Sequence, residues 1–246
     1  MRAPLPDSLR PEDEPIVLKH LQELAMHPLG SLVSERRLRR MIGVLLERLT
    51  SVTLVAENFA DPHNISALIR TAEGFGLDRV HVVEMPNKYQ RCGSIVRGAD
   101  RWLEIEKHQG LSKSIGALQA NGFVLAAADV GPGCVPVTEL PVDKPLAIVM
   151  GSERDGLSKR AKSVVDIRFT IPMQGFTESF NVSVSAAVTL FEVSQRRRAH
   201  LSEQGIRGEL DEETRKKRLE VWLRKTVNRS MRILEEAERR GEKTTF

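Results

Sequence analysis

Short apolar runs rich in β-branched residues alternate with helix-patterned stretches through the middle of this chain, and that alternation restricts the fold more than any other feature. The runs are VTLVA at 52–56, VHVVE at 80–84, FVLAAA at 123–128 and LAIVM at 146–150. Helical spacing lies between them, from about Asn64 to Phe75 and from about Leu111 to Ala120. Strands that are apolar along their whole length are covered on both faces, and strand–helix–strand repetition joins neighbours in parallel. The expectation is an α/β protein with a parallel sheet flanked by helices. IRFTIP, closed by Pro172, reads as a further strand, and Val182, Val184, Ala186, Ala187, Leu190, Phe191 and Val193 read as a buried helix after it.

The flanks read differently. Residues 1–15 hold four prolines and four acidic groups, the pattern of a mobile leader. Leu38, Met41, Ile42, Leu45, Leu46 and Leu49 then recur at helical spacing with arginines largely opposite, which makes an amphipathic basic helix. A single charged helix is expected from about Glu212 to Arg240. The organisation read from this is a basic helical N-terminal extension (1–50), a central α/β domain (51–199) and a charged C-terminal helical arm (200–246). Charge follows the same division. Residues 1–50 carry 8 basic and 7 acidic groups, residues 51–195 carry 14 and 16, and residues 196–246 carry 15 and 10. Basic flanks around a near-neutral centre suit a core whose arms meet a polyanion, although arginine-rich helices also serve as plain solvated faces.

Several site classes are excluded. Gly74 and Gly76 have no third glycine to complete a dinucleotide fingerprint, Gly131 and Gly133 sit too close to prolines to open a helix, and no P-loop is present. The histidines at 20, 27, 63, 81, 108 and 200 lack ligand spacing and the two cysteines form no CxxC pair, so no metal is expected. No apolar run is long enough for a membrane span and the start has no signal-peptide core, so a cytoplasmic protein without membrane contact is expected.

Three loop segments remain: DPHNISALIRTAEGFG at 61–76, VMGSERDGLS at 149–158 and IPMQGFTESFNVSVSAA at 171–187. Each follows or joins an expected strand, where parallel sheets place their ligands. Taken alone, Asn64 reads as a helix N-cap, Gly151 as a turn glycine, and Ser179 and Asn181 as the capped mouth of a helix. Taken together, in this order and spacing, the segments resemble motifs 1, 2 and 3 of the SPOUT superfamily, and within it the TrmH-like tRNA (guanosine-2'-O-)-methyltransferases. The resemblance rests on Asn64 and Arg70, on Gly151 and Glu153, and on SFNVSVSAA from Ser179 to Ala187, and it spans roughly residues 52–198. Glu178 and Phe180 depart from the commonest family residues.

The resemblance implies a C-terminal deep trefoil knot in the α/β sheet, S-adenosylmethionine as cofactor, a homodimer, and 2'-O-methylation of an RNA ribose. The ribose it favours is guanosine 18 in the tRNA D-loop. Ribosomal RNA is the alternative substrate, and a non-catalytic RNA-binding factor on the same fold is the alternative class. The motif residues it marks as catalytic are Arg70, Asn64, Glu153, Ser179 and Asn181, with Ala128, Met150, Gly151, Ile171, Met173 and Phe180 around the cofactor. A guanidinium is a poor base, so Arg70 is expected to act first on charge, holding a phosphate and the developing alkoxide. Arg36, Arg37, Arg39, Arg40, Arg196, Arg197 and Arg198 are the candidates for RNA phosphates.

Overall fold

In the computed structural model, which describes residues 9–84 and 87–245, the apolar runs are strands and the helix-patterned stretches are helices. The order is α1 (Glu14–Ala25), α2 (Glu35–Leu46), β1 (Val52–Glu57), α3 (Pro62–Gly74), β2 (Arg79–Val83), α4 (Gly93–Val96), β3 (Glu104–His108), α5 (Leu111–Ala120), β4 (Val124–Ala128), β5 (Val135–Pro136), β6 (Leu146–Met150), α6 (Lys159–Val164), β7 (Ile167–Thr170), α7 (Val182–Glu203), α8 (Glu212–Thr226) and α9 (Ser230–Arg239). The chain divides into two compact units. One is Leu49–Arg207, and the other joins the segment up to Arg48 with the segment from Gly208 onward.

The first unit is the sheet and its helices. Seven strands lie in the order β3-β2-β1-β6-β4-β7-β5, and every pairing is parallel. The central strands β1 and β6 are buried at every position. Side chains alternate between faces. Leu54, Ala56, Ile148 and Met150 join the core that contains Ile65, Leu68 and Ile69 of α3 and Leu190 and Val193 of α7. Val55, Ala147 and Val149 join the opposite core with Leu111, Ile115 and Leu118 of α5 and Ala161 of α6. Helices therefore cover both faces.

Two strands go beyond the expectation. β3 has the sequence EIEKH, which carries no apolar run. It forms at the sheet edge because Arg79 of β2 reaches across to Glu104 (2.8 Å) and Glu106 (3.3 Å). β5 is a two-residue edge pairing against β7. The glycines set aside at 74 and 76 end α3: Gly76 takes a φ of +78°, its N–H bonds the Glu73 carbonyl, and the Leu77 N–H returns to Ala72.

The second unit is helical. α1 packs on α2, α2 on α8, and α8 on α9. Its centre is Trp222, 3% exposed, with the fully buried Arg48 guanidinium 5.3 Å from the ring centroid. Two expectations are corrected here. The proline-rich leader is helical from Pro11: a short turn at Pro11–Asp13 leads into α1, and the buried Asp13 accepts the Arg10 N–H at 2.7 Å. Proline and acidic residues suit a helix start, so the composition that suggested mobility marks an N-terminus. Residues 1–8 of that leader lie outside the described residues. The single C-terminal helix is two, broken where Arg229 takes a φ of +56°. Among the described residues no helix is long and apolar enough to cross a membrane.

Candidate active site

Because every strand runs the same way, the segments after β1, β4, β6 and β7 all leave the sheet at one edge. The strand order also reverses there, since the chain runs outward through β1, β2 and β3 and then returns to β4 on the far side of β6. Such an edge is where open parallel sheets hold ligands.

The loop after β1 enters α3 through Asp61. Its Oδ1 accepts the His63 N–H at 2.8 Å, and Pro62 follows as the first helical residue. The bond from the His63 amide, joined by the His63 ring, holds the Asp61 carboxyl below its ordinary value. Asp61, not Asn64, is thus the N-cap. Asn64 sits three residues on, and its amide is left for longer-range work. Its Oδ1 accepts from Asn181 Nδ2 at 3.3 Å, and its own Nδ2 donates to Asp61 Oδ2 at 3.4 Å. Asn181 caps α7, its Oδ1 accepting from the Ser183 N–H at 2.9 Å and the Ser183 hydroxyl at 2.6 Å. Glu153 completes the set, with Oε1 accepting the Asp61 N–H at 2.9 Å. Three loops far apart in sequence are therefore held together by side chains of Asp61, Asn64, Glu153 and Asn181.

Arg70 and Ser179 stand outside that network. Arg70 is exposed on α3, six residues and so about 9 Å along the axis from Asn64. Its Nη1 donates to the Ile95 carbonyl of α4 at 3.3 Å. Ser179 is exposed two residues before the α7 cap.

The second loop is shaped by glycine. A Cβ on Gly151 would lie 2.2 Å from the Gly156 carbonyl carbon, so only glycine lets the chain fold back there. The Gly156 N–H closes the turn on the Ser152 carbonyl at 2.9 Å. Glu57, at the end of β1 and 6% exposed, anchors the loop's far end: its carboxylate accepts the Ser158 N–H at 3.0 Å and the Ser158 hydroxyl at 2.6 Å.

Five of the six residues expected around a cofactor fall at three adjacent strand ends. Ala128 ends β4, Met150 and Gly151 end β6, and Ile171 and Met173 follow β7. Ala128, Ile171 and Met173 are half-buried. The Met150 side chain lies in the core, which leaves its backbone for any ligand. Phe180 is exposed beside the α7 cap. Next to them, burial raises the Asp129 carboxyl, but Lys162 at 2.9 Å, the Val130 amide and Arg168 outweigh it and hold the group below its ordinary value.

The basic candidates divide. Arg36, Arg37 and Arg40 are exposed on α2, and Arg39, half-buried, is bonded to Glu35 (2.7 Å) and Glu14 (2.9 Å). Arg196 lies 3.8 Å from Glu192. Arg197 does not fit an RNA contact. It is 8% exposed and donates to the Ser51 hydroxyl and the Val142 carbonyl, both at 2.8 Å. Arg198 bonds the Phe75 carbonyl at 3.1 Å and is half-buried. Helical position explains the difference: Arg197 is on the face of α7 turned toward Ser51 and Val142, and a side chain there is enclosed whatever its charge.

The SpoU rRNA Methylase family matches residues 51–191, the whole span that carries this site. The chain belongs to that family. Among curated relatives, it is 35% identical over 193 residues to the tRNA (guanosine(18)-2'-O)-methyltransferase of Thermus thermophilus, covering 78% of this chain and 98% of the relative. It is 31% identical to the Borreliella burgdorferi enzyme of the same name over 170 residues, or 69% and 78% of the two chains. In structure it is similar to the A. aeolicus TrmH/SpoU tRNA modifying enzyme, with a TM-score of 0.71, 29% identity and coverage of 78% and 98%. Within the family match, Glu57 and Asp61 are residues that sequence reasoning passed over. A carboxylate closing a buried strand and an aspartate before a proline were the signals available.

Proposed function

We propose that this protein transfers a methyl group from S-adenosylmethionine to the ribose 2'-hydroxyl of guanosine 18 in tRNA. The observation that carries the reading is the hydrogen-bonded set of Asn64, Asn181, Asp61 and Glu153 at the ligand edge of the sheet, beside a loop in which Gly151 alone fits. The relatives of nearly full-length coverage, named for guanosine 18 of tRNA, supply the substrate.

The residues present fit the cofactor. Gly151 bares backbone at the end of β6, and half-buried Ala128, Ile171 and Met173 offer small and apolar surface for a flat ring. When bound, S-adenosylmethionine supplies an electrophilic methyl group. Ala128, the Met150 and Gly151 backbone, Ile171, Met173 and Phe180 would hold it. Arg70 holds the adjoining phosphate and stabilises the developing alkoxide by charge. Glu153 Oε1 is engaged by the Asp61 amide, which leaves Oε2 to accept the hydroxyl proton. Asn64, Ser179 and Asn181 orient the ribose.

The central segment 51–199 carries the chemistry in this reading, the helical segments 1–50 and 200–246 hold RNA, with Arg36, Arg37, Arg39 and Arg40 of α2 as the phosphate contacts, and Arg196 and Arg198 of α7 add contacts from the central segment itself. A deep trefoil knot in the cytoplasmic enzyme is supported by β7 lying between β4 and β5, followed by return of α7 to α3. A homodimer is supported by Phe180, Val184, Val188 and Phe191, which are 37–56% exposed in one stripe leading along α7.

The test is methylation of a tRNA transcript with labelled S-adenosylmethionine. Transfer to guanosine 18 and none to a transcript with 2'-deoxyguanosine there is expected. Arg70→Ala should abolish transfer while cofactor binding stays near normal. Methylation of ribosomal RNA alone would overturn the substrate, and an active Arg70→Ala variant would overturn the residue's role.

A further inference from the structure

The parallel register of β2 and β3 sets His81 beside Glu106 and Val83 beside His108. His81, Glu106 and His108 therefore stand together on one sheet face, although Glu106 and His108 follow His81 by 25 and 27 residues along the chain. We propose that these three side chains form a binding site for a borderline transition-metal dication, of which Zn2+ is the type. The site is separate from the ligand edge described above.

The donor geometry supports it. His81 Nδ1 lies 2.9 Å from His108 Nε2 and 3.4 Å from Glu106 Oε2, and one ligand atom from each residue falls within 4.8 Å of the others. Two donors each about 2.05 Å from a tetrahedral zinc ion stand about 3.3 Å apart, so Glu106 already stands at that spacing from His81, the imidazoles need to part by about 0.4 Å, and the His108–Glu106 pair, within 4.8 Å, closes around the ion. The two rings are nearly parallel, 23° between planes and 5.2 Å between centroids, so both present nitrogens to the same space. Without a metal, one ring must place a proton between the two nitrogens; a cation takes that proton's place. Both imidazoles are held neutral by burial, the form that binds metals, with His81 lowered to about 4. Two imidazoles and a carboxylate are a donor set suited to zinc, with water as the fourth ligand. The Glu106 side chain is 40% exposed and gives the ion and that water a way in. Arg79 is the opposing feature, since its Nη1 lies 3.3 Å from the same Glu106 oxygen, but its stronger bond is to Glu104 at 2.8 Å. A bound ion would clip the polar edge strand β3 to β2.

The test uses the full chain, stripped with a chelator and titrated with Zn2+ by calorimetry and with Co2+ by visible spectroscopy. One equivalent per chain is expected, with the Co2+ absorption of a tetrahedral N2O2 site and a rise in the melting temperature. Glu106→Gln, at the exposed side, should weaken binding at least about tenfold, and His108→Asn should abolish it. Should either substitution disturb folding, imidazole NMR signals of the unmodified protein serve instead: those of His81 and His108 should move with zinc while those of His63 stay. Absence of stoichiometric binding, binding unchanged in both variants, or zinc shifts confined to other histidines would each overturn the proposal.

Discussion

Replacing Glu57 by glutamine tests whether the second loop is held from the end of β1. Ser158 presents two donors to that carboxylate, its N–H and its hydroxyl, because its Oγ is already accepting the Ala161 N–H at 3.0 Å to cap α6. A carboxamide has one acceptor oxygen, so its NH2 must face a donor in a site only 6% exposed. Losing one charge-assisted bond and leaving a buried donor unmatched costs about 1.5–3 kcal/mol. In a unit of this size that lowers the melting temperature by roughly 3–12 °C. Ser158→Ala removes the same bond and also the α6 cap, for about 2 kcal/mol or more. In a double-mutant cycle read by urea unfolding, the double variant should fall short of the sum by about 1–2 kcal/mol. Because the loop carries Gly151 and Glu153, kcat/KM with S-adenosylmethionine should fall about tenfold or more in Glu57→Gln. Additive losses, or a full melting shift with unchanged kcat/KM, would refute the argument.

Other substitutions probe other contacts. Gly151→Ala should destabilise the sheet unit by about 1–3 kcal/mol and remove cofactor binding, as calorimetry would show, because its Cβ would meet the Gly156 carbonyl carbon at 2.2 Å. Arg197→Ala should cost about 2–4 kcal/mol in unfolding free energy and leave the salt dependence of tRNA binding unchanged, whereas Arg36→Ala should leave stability near that of the wild type and lower the salt slope by about one. His27 accepts the Leu29 N–H at Nδ1 (3.2 Å) and donates from Nε2 to the Thr244 carbonyl (3.0 Å), a neutral tautomer whose pKa burial lowers. The unfolded chain takes up that proton first, so stability of the helical unit should be full above pH 6.5 and fall as the pH drops from 6.5 toward the depressed value. Trp222 fluorescence against pH should show the slope, and His27→Gln, which keeps an acceptor and a donor, should reduce it, with the buried His20 of α1 supplying the remainder.

The central strands and the helix Leu111–Ala120 were legible because burial on two faces and a 3.6-residue period each leave a direct mark in residue type. β3 left no such mark. Its Glu104, Glu106 and Lys107 are tolerable only at a sheet edge where Arg79 meets them, and the position in the sheet is a property of the whole fold. α1 was hidden behind prolines and acids that read as disorder until something packs on them. At the site, Asn64, Glu153 and Asn181 could be named from the resemblance of their segments to the family's motifs, but their joint through Asp61 could not, since a cap and a cross-loop acceptor look alike in one dimension. Arg197 shows the opposite limit: three consecutive arginines share a composition and differ in burial. The histidines at 81 and 108 lack ligand spacing along the chain and meet only because parallel register aligns their strands.

The helical unit is assembled from both ends of the polypeptide, with Leu49–Arg207 inserted between them. During translation, α2 therefore emerges with only α1 to pack on, long before α8 exists to cover the rest of its buried face. At about 5–20 residues per second the ribosome needs roughly 8–30 s to make the intervening segment. Throughout that interval an apolar, arginine-studded helix is available to chaperones and to ribosomal RNA, and the unit can close only once the catalytic segment has been made.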